Sequence, residues 1–126
     1  MHSMNKITFF LDTYALIEIS KANPAYEKYR RVLAVTLIYN LAELYYFCLR
    51  EFTQEYADKT HDAFYEIVKN FPSNLVKDAM LFRYKHKKQK FSYCDALGYI
   101  YAISNDYWFV TGDAMFKEFD HVVFIP

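Results

Sequence analysis

Four acidic residues occupy positions from which carboxylates could act together. Asp12 ends the apolar run Phe9-Phe10-Leu11, and Glu43 sits within Tyr39-Asn40-Leu41-Ala42-Glu43-Leu44. Asp95 closes Ser92-Tyr93-Cys94-Asp95, and Asp113 closes Val110-Thr111-Gly112-Asp113. Successive members are 31, 52 and 18 residues apart, so only folding brings them together. Converging carboxylates repel unless a cation lies between them, and oxygen ligands without nitrogen or sulfur select Mg²⁺ or Mn²⁺. Such an ion polarises a phosphate and generates an attacking hydroxide, which is what phosphodiester hydrolysis needs. Each acid also has a purely structural explanation. Asp12 and Asp113 suit helix N-caps or Asx turns, Ser92-x-x-Asp95 is close to a capping box, and Glu43 could pair with a surface cation.

The elements around them decide between these explanations. Short apolar runs predict strands at Ile7–Leu11, Val32–Thr36, Tyr107–Val110 and Val122–Ile125. Between them, helices are expected from Asp12 or Thr13 to Ile19, from Pro24 toward Arg31, and over Leu37–Arg50 and Thr53–Asn70. Further helices are expected over Leu75–Lys88 and Ser92–Ser104, with a short one at Ala114–Phe119. Strands alternating with helices predict a three-layer α/β/α sandwich around a small central parallel sheet. Ligands bind such sheets at the C-terminal strand ends, where Asp12 and Asp113 would face one crevice. The Ser92 helix would deliver Asp95 to the same side. For Glu43, flanked by Leu41, Ala42 and Leu44, a solvent-facing position is not obvious.

Composition narrows the classes. The chain has 126 residues, enough for a single domain spanning 1–126. Met1-His2-Ser3-Met4 reads as a disordered or alternative start, or a cloning scar, outside the fold proper. With 15 basic and 15 acidic residues the formal charge is zero, which argues against a protein that coats duplex nucleic acid. Only Gly98 and Gly112 are present, so neither a dinucleotide fingerprint nor a P-loop can be written. Cys48 and Cys94 read as buried thiols in a reduced, cytoplasmic setting. His61, His86 and His121 lack zinc-ligand spacing. The longest apolar run, Ala96–Ile103, falls far short of the about 18 residues of a membrane span. Aromatics make up 21% of the chain, enough to leave apolar surface for a partner.

One basic stretch stands out. Arg83 to Lys90 reads Arg-Tyr-Lys-His-Lys-Lys-Gln-Lys, just ahead of the Asp95 turn. It suits a solvated helix end. It also suits a rim where Lys85, Lys87, Lys88 and Lys90 hold nucleic-acid phosphates beside an acidic pocket, with Tyr84, Phe91 and Tyr93 available to stack bases.

Together, Phe9-Phe10-Leu11-Asp12-Thr13, Asn40-x-x-Glu43-Leu44, Ser92-x-x-Asp95-Ala96 and Val110-Thr111-x-Asp113-x-x-Phe116 resemble the PIN domain. In particular they resemble the stand-alone PIN ribonucleases that are VapC toxins of toxin–antitoxin pairs. The resemblance implies an α/β/α fold and Mg²⁺- or Mn²⁺-dependent cleavage of RNA, single-stranded or structured. It implies Asp12, Glu43, Asp95 and Asp113 as the acidic metal-site residues, with Thr13, Asn40 and Thr111 in support. Some relatives carry one more acid after the fourth; Phe116 is apolar here, and one ion or two both stay open. A small antitoxin and a second copy of the chain are the implied protein partners, and no membrane is involved. Two alternatives remain: a non-catalytic PIN-like interaction module, and a phospho-receiver domain. The receiver fits less well, since Asp12 stands alone before Thr13 and Val122–Pro126 contains no Lys.

Overall fold

Alternation along the first strand divides the molecule into two cores. In β1 (Thr8–Leu11), Leu11 packs with Ala15, Leu16, Ile19, Leu41, Leu44 and Val110 on one face of the sheet. Phe10 points the other way, into Val35, Leu37, Tyr99, Phe109 and Phe116, as the two-residue side-chain period of a strand dictates. A sheet buried on both faces must be covered on both. The computed structural model describes residues 6–126, and the expectation for Met1–Met4 lies outside the described residues.

One layer holds α1 (Thr13–Ser20), α2 (Ile38–Glu51) and α3 (Gln54–Tyr65), with a 3₁₀ segment at Pro24–Arg30. The other holds α4 (Val76–Lys85) and α5 (Tyr93–Ser104). Between them lie five parallel strands, β1 with β2 (Leu33–Leu37), β3 (Val68–Lys69), β4 (Trp108–Thr111) and β5 (Val122–Phe124), in the order β3-β2-β1-β4-β5. The fold is a three-layer α/β/α sandwich. No helix among the described residues is long and apolar enough to cross a membrane.

Gly98 lets α5 approach the sheet. A Cβ there would stand 3.1 Å from the Phe10 ring, so a larger residue would push helix and strand apart. The other helical layer is tied down by polar contacts: the Tyr26 hydroxyl donates to Ile125 O at 2.6 Å, and the Tyr56 hydroxyl to Ser20 O at 2.9 Å.

Three expected helices differ. The one drawn over Thr53–Asn70 stops at Tyr65, and Val68–Lys69 forms the edge strand β3 beside Thr36 and Leu37. Pairing is the reason: Thr36 N donates to Ile67 O at 3.0 Å, giving β2's outer edge a partner. A two-residue strand has no periodicity to read. The Leu75–Lys88 helix is α4 flanked by 3₁₀ turns at Ser73–Leu75 and Lys87–Gln89. The chain then turns at Lys90, whose φ of 58° is left-handed, and Phe91 enters the core. Ala114–Phe119 is helical only as a 3₁₀ turn over Ala114–Phe116.

Gly112 sits where β4, α1 and the chain end meet. An added Cβ would collide with the Tyr14 ring and stand 2.6 Å from Ile125 O. That carbonyl is fixed, because its own residue donates to Thr111 O at 2.8 Å and Tyr26 donates to the oxygen itself. Gly112→Ala should therefore cost about 1–3 kcal/mol, seen as a lower Tm with an unaltered far-UV spectrum. A melting temperature equal to the parent's would show that this corner yields freely.

Candidate functional site

The strand order reverses between β1 and β4: β2 and β3 extend to one side of β1, β4 and β5 to the other. Crevices form at such points, outside the C-terminal strand ends. Asp12 follows β1 and Asp113 follows β4 by two residues, so the register of these two strands brings both acids to one edge.

Asp12 is the buried member, only 6% exposed. It caps α1, accepting from Ala15 N at 2.8 Å. Loss of water around the carboxylate pushes its pKa up to about 7. The Thr111 hydroxyl and the Ala15 N–H, which favour the charged form, offset part of this, while the charges of Asp95 and Asp113 add to it. Thr111 is itself fully buried and accepts from Asp113 N at 3.0 Å, so one hydroxyl sits between the two strand-end acids.

Asp95 lies in the first turn of α5 and is half-buried. Ser92 N donates to its carboxylate at 2.9 Å, and Asp95 N donates to Ser92 Oγ at 3.0 Å, a complete capping box. Burial raises its pKa; the Ser92 bonds lower it, and the Asp113 and Glu43 charges raise it further. Asp113, also half-buried, caps the Ala114 turn by accepting from Met115 N at 2.9 Å.

Glu43 corrects an expectation. It is exposed, because α2 buries Asn40, Leu41, Leu44 and Cys48 and so turns Ala42 and Glu43 outward. Its carboxylate nonetheless reaches α1, where the Thr13 hydroxyl donates to it at 2.6 Å. Asn40 Nδ2 donates to the same Thr13 oxygen at 3.1 Å. Asn40 is 2% exposed, and its Oδ1 is buried with no partner among the described residues. A buried acceptor without a donor is costly, so this oxygen is a place where water or a ligand group would be welcome.

The four acids thus share an electrostatic neighbourhood in which Asp12 senses Asp95 and Asp113, and Asp95 senses Asp113 and Glu43. Among the described residues, no three Asp, Glu, His or Cys side chains are grouped closely enough to hold an ion. Asp12, Asp95 and Asp113 are each held at an element's end by a local hydrogen bond, whereas Glu43, inside α2, is held from α1 by Thr13. Cys94, expected only as a small buried residue, also stands here, with Sγ 4.0 Å from Thr13 Oγ1. Burial, and next the neighbouring Glu43 charge, push its thiol pKa up and keep it protonated. Its position between Tyr93 and Asp95 was the available signal.

Lys85, Lys87, Lys88 and Lys90 are all exposed, as expected of either reading of the basic stretch. Tyr84 and Tyr93 are exposed too. Phe91 is not: it is buried against Phe116, with ring centroids 4.5 Å apart, and cannot meet a base.

Residues 9–122 match the sequence model of the PIN domain. The chain is similar in fold to VapBC2 from Rickettsia felis, a structure bound to a DNA fragment from its promoter, with TM-score 0.72 and 17% identity over 94% of this chain and 98% of that one. It is similar to a toxin–antitoxin complex from Klebsiella pneumoniae, with TM-score 0.70 and 13% identity over 91% and 95% of the two chains. It is also similar to VapC20 of Mycobacterium tuberculosis, a sarcin–ricin loop cleaving toxin, with TM-score 0.71 and 13% identity over 82% and 86%. No curated protein matches the chain significantly in sequence. A family match over nearly the whole chain, together with this strand order, makes the chain a member of the PIN domain family.

Proposed function

We propose that this chain, one domain throughout, is a metal-dependent endoribonuclease and the toxin of a toxin–antitoxin pair. The observation that carries the reading is a buried carboxylate, Asp12, at the point where the sheet order reverses, within the field of two further acids. A carboxylate desolvated without a cation of its own is unusual unless something positive joins it. The donor set fits Mg²⁺ or Mn²⁺ by type, since Asp12, Glu43, Asp95 and Asp113 offer hard oxygens. The toxin and toxin–antitoxin structures of similar fold support the biological role.

In this reading the four acids hold the ion, which when bound supplies a polarised phosphate and an activated water. The remaining roles belong to the protein. Thr111 orients Asp12 and Asp113 together, and the Asn40–Thr13 pair steadies Glu43, the exposed acid with most freedom to move. Lys85, Lys87, Lys88 and Lys90 bring single-stranded or structured RNA to an edge that would otherwise repel it. A small antitoxin and a second copy of the chain are the protein partners, and exposed Tyr46, Leu49 and Phe52 give α2 and its C-terminal end apolar surface for them. The cytoplasm is the setting of such a toxin.

A non-catalytic interaction module is the second reading. What favours it is that Asp12, Asp95 and Asp113 each accept a backbone N–H at a helix or 3₁₀ start, and no three acids stand at ligand spacing among the described residues. Two experiments separate the readings.

The first is activity. Asp95→Asn and Asp113→Asn should each reduce RNA cleavage to the background seen in EDTA while the far-UV spectrum stays that of the parent, because charge is removed and volume is kept. Full cleavage by both variants would remove the site assignment.

The second is stability against pH without metal. The folded chain keeps a proton on Asp12 up to about pH 7, whereas the unfolded chain loses it near the ordinary aspartate value of 3.8. Between those values the folded state binds more protons, so this group's contribution is full below the lower value and is lost as pH rises toward the upper one. The parent in EDTA should therefore lose on the order of 4 kcal/mol across this window. Asp12→Asn, which caps as well, should flatten that slope and melt higher near neutral pH. Mn²⁺ should restore the parent at neutral pH and leave the variant nearly unmoved. Parallel pH profiles for the two chains, with no response to Mn²⁺, would favour the module.

A further inference from the structure

Between Asp78 and Asp95 the chain carries no carboxylate and five fixed cations, Arg83, Lys85, Lys87, Lys88 and Lys90. Among the described residues, the ion pairs engage cations elsewhere and none of these five. Three of them, Arg83, Lys87 and Lys90, line a cavity of 220 Å³ with Phe91. A solvated helix end needs no such cavity.

The cavity wall is fixed to the core. Arg83 Nε donates to Phe91 O at 2.8 Å, and Phe91 is 1% exposed, so the anchoring carbonyl belongs to a packed residue. The Arg83 guanidinium lies over the Tyr93 ring, 4.3 Å from its centroid. Among the described residues its hydrogen bond to protein uses Nε, which leaves the terminal nitrogens for another acceptor. Tyr93 is 62% exposed, so its ring offers open area beside the stacked guanidinium. Lys87 Nζ lies 5.0 Å from the Tyr84 ring centroid, repeating the pairing of a cation with an exposed aromatic ring. A guanidinium held in this way suits a phosphate's oxygens, and an exposed ring beside it suits a base.

Position gives the cavity its meaning. Tyr93 opens α5, and two residues later Asp95 is locked in its capping box. We propose that Arg83, Lys87 and Lys90 form a subsite for one backbone phosphate of single-stranded RNA, with Tyr93 as the stacking surface for the attached base. This rests on the ribonuclease reading and deepens it. It adds Arg83 and Tyr93 as positioning residues, and it assigns to two of the lysines a specific cavity in place of a general rim. A nucleotide held here lies at a fixed offset from Asp95 and sets which bond of the strand is presented to the acids.

Binding is measured by fluorescence anisotropy, using a labelled mixed-sequence RNA oligonucleotide, a salt series and the full chain carrying Asp113→Asn to prevent cleavage. Replacing the exposed pair by Lys87→Gln and Lys90→Gln should weaken binding and flatten the log–log salt dependence by about 0.7 per lost contact. Arg83→Gln should do the same. Tyr93→Leu should weaken binding about tenfold with the salt dependence kept. In the cleavage-competent chain, Tyr93→Leu should raise KM for RNA more than it lowers kcat. A nucleoside monophosphate should displace the oligonucleotide better than inorganic phosphate does.

Parental affinity and salt slope in the lysine double variant overturn the subsite, whatever Arg83→Gln does to the fold. Equal competition by inorganic phosphate and mononucleotide, or equal affinity for duplex RNA, overturns the role of Tyr93. A parent that cleaves RNA while these variants bind normally leaves the nuclease reading standing and removes only the subsite. A parent that neither binds nor cleaves RNA removes both.

Discussion

Phe10 and Phe109 stack with their ring centroids 5.5 Å apart, side by side on adjacent strands, and the register they fix governs what lies beyond them. With Leu11 opposite Val110, Asp12 N donates to Val110 O at 3.3 Å, and the first acid comes level with Thr111. A slip of one residue would turn Phe10 out of one core and Leu11 out of the other, and it would carry Asp12 away from Thr111. The cost of exposing those side chains, about 1.5–3 kcal/mol each, is what secures the position of a carboxylate that gains nothing from the core itself. Apolar packing on two faces thus holds an unfavourable polar group in place.

The acids answer to two demands that pull in different directions. As caps they supply acceptors to N–H groups that α1, α5 and the Ala114 turn would otherwise leave unpaired, each worth about 0.5–2 kcal/mol. As neighbours they repel, and Asp12 in addition loses its water. The caps fix each of these three carboxylates to its own element, and so they also keep the members apart. Glu43 is the exception. It caps nothing, stands in solvent and is steadied by Thr13 with Cys94 beside it, so it is the acid free to close the set.

Much of this was legible in the sequence because it depends on local chemistry. Phe9-Phe10-Leu11-Asp12 announces a strand and its end, Ser92-x-x-Asp95 announces a cap, and alternation of the two patterns implies the parallel sheet. Features that depend on the partner across space were not legible. Val68–Lys69 is a strand only because Thr36 offers it an edge. Glu43 is exposed although its sequence neighbours are apolar, because helical period and not adjacency sets the buried face of α2. Phe91, placed among cations, reads as a surface ring, yet Phe116 and Phe82 draw it inward. The neighbourhood of Cys94 and Thr13, on helices from opposite layers, has no signature in sequence spacing.

The shortness of β3 has a consequence for a chain that is 21% aromatic. A sheet presents unpaired backbone along its outermost strands, and a long flat border of that kind recruits further chains. Here one border is two residues long and carries Lys69, and the other, β5, is three residues long. Neither offers the six or seven residues on which cross-β stacking is built. A sequence this rich in Phe and Tyr can therefore present sticky helical faces to other proteins without its strands templating a fibre.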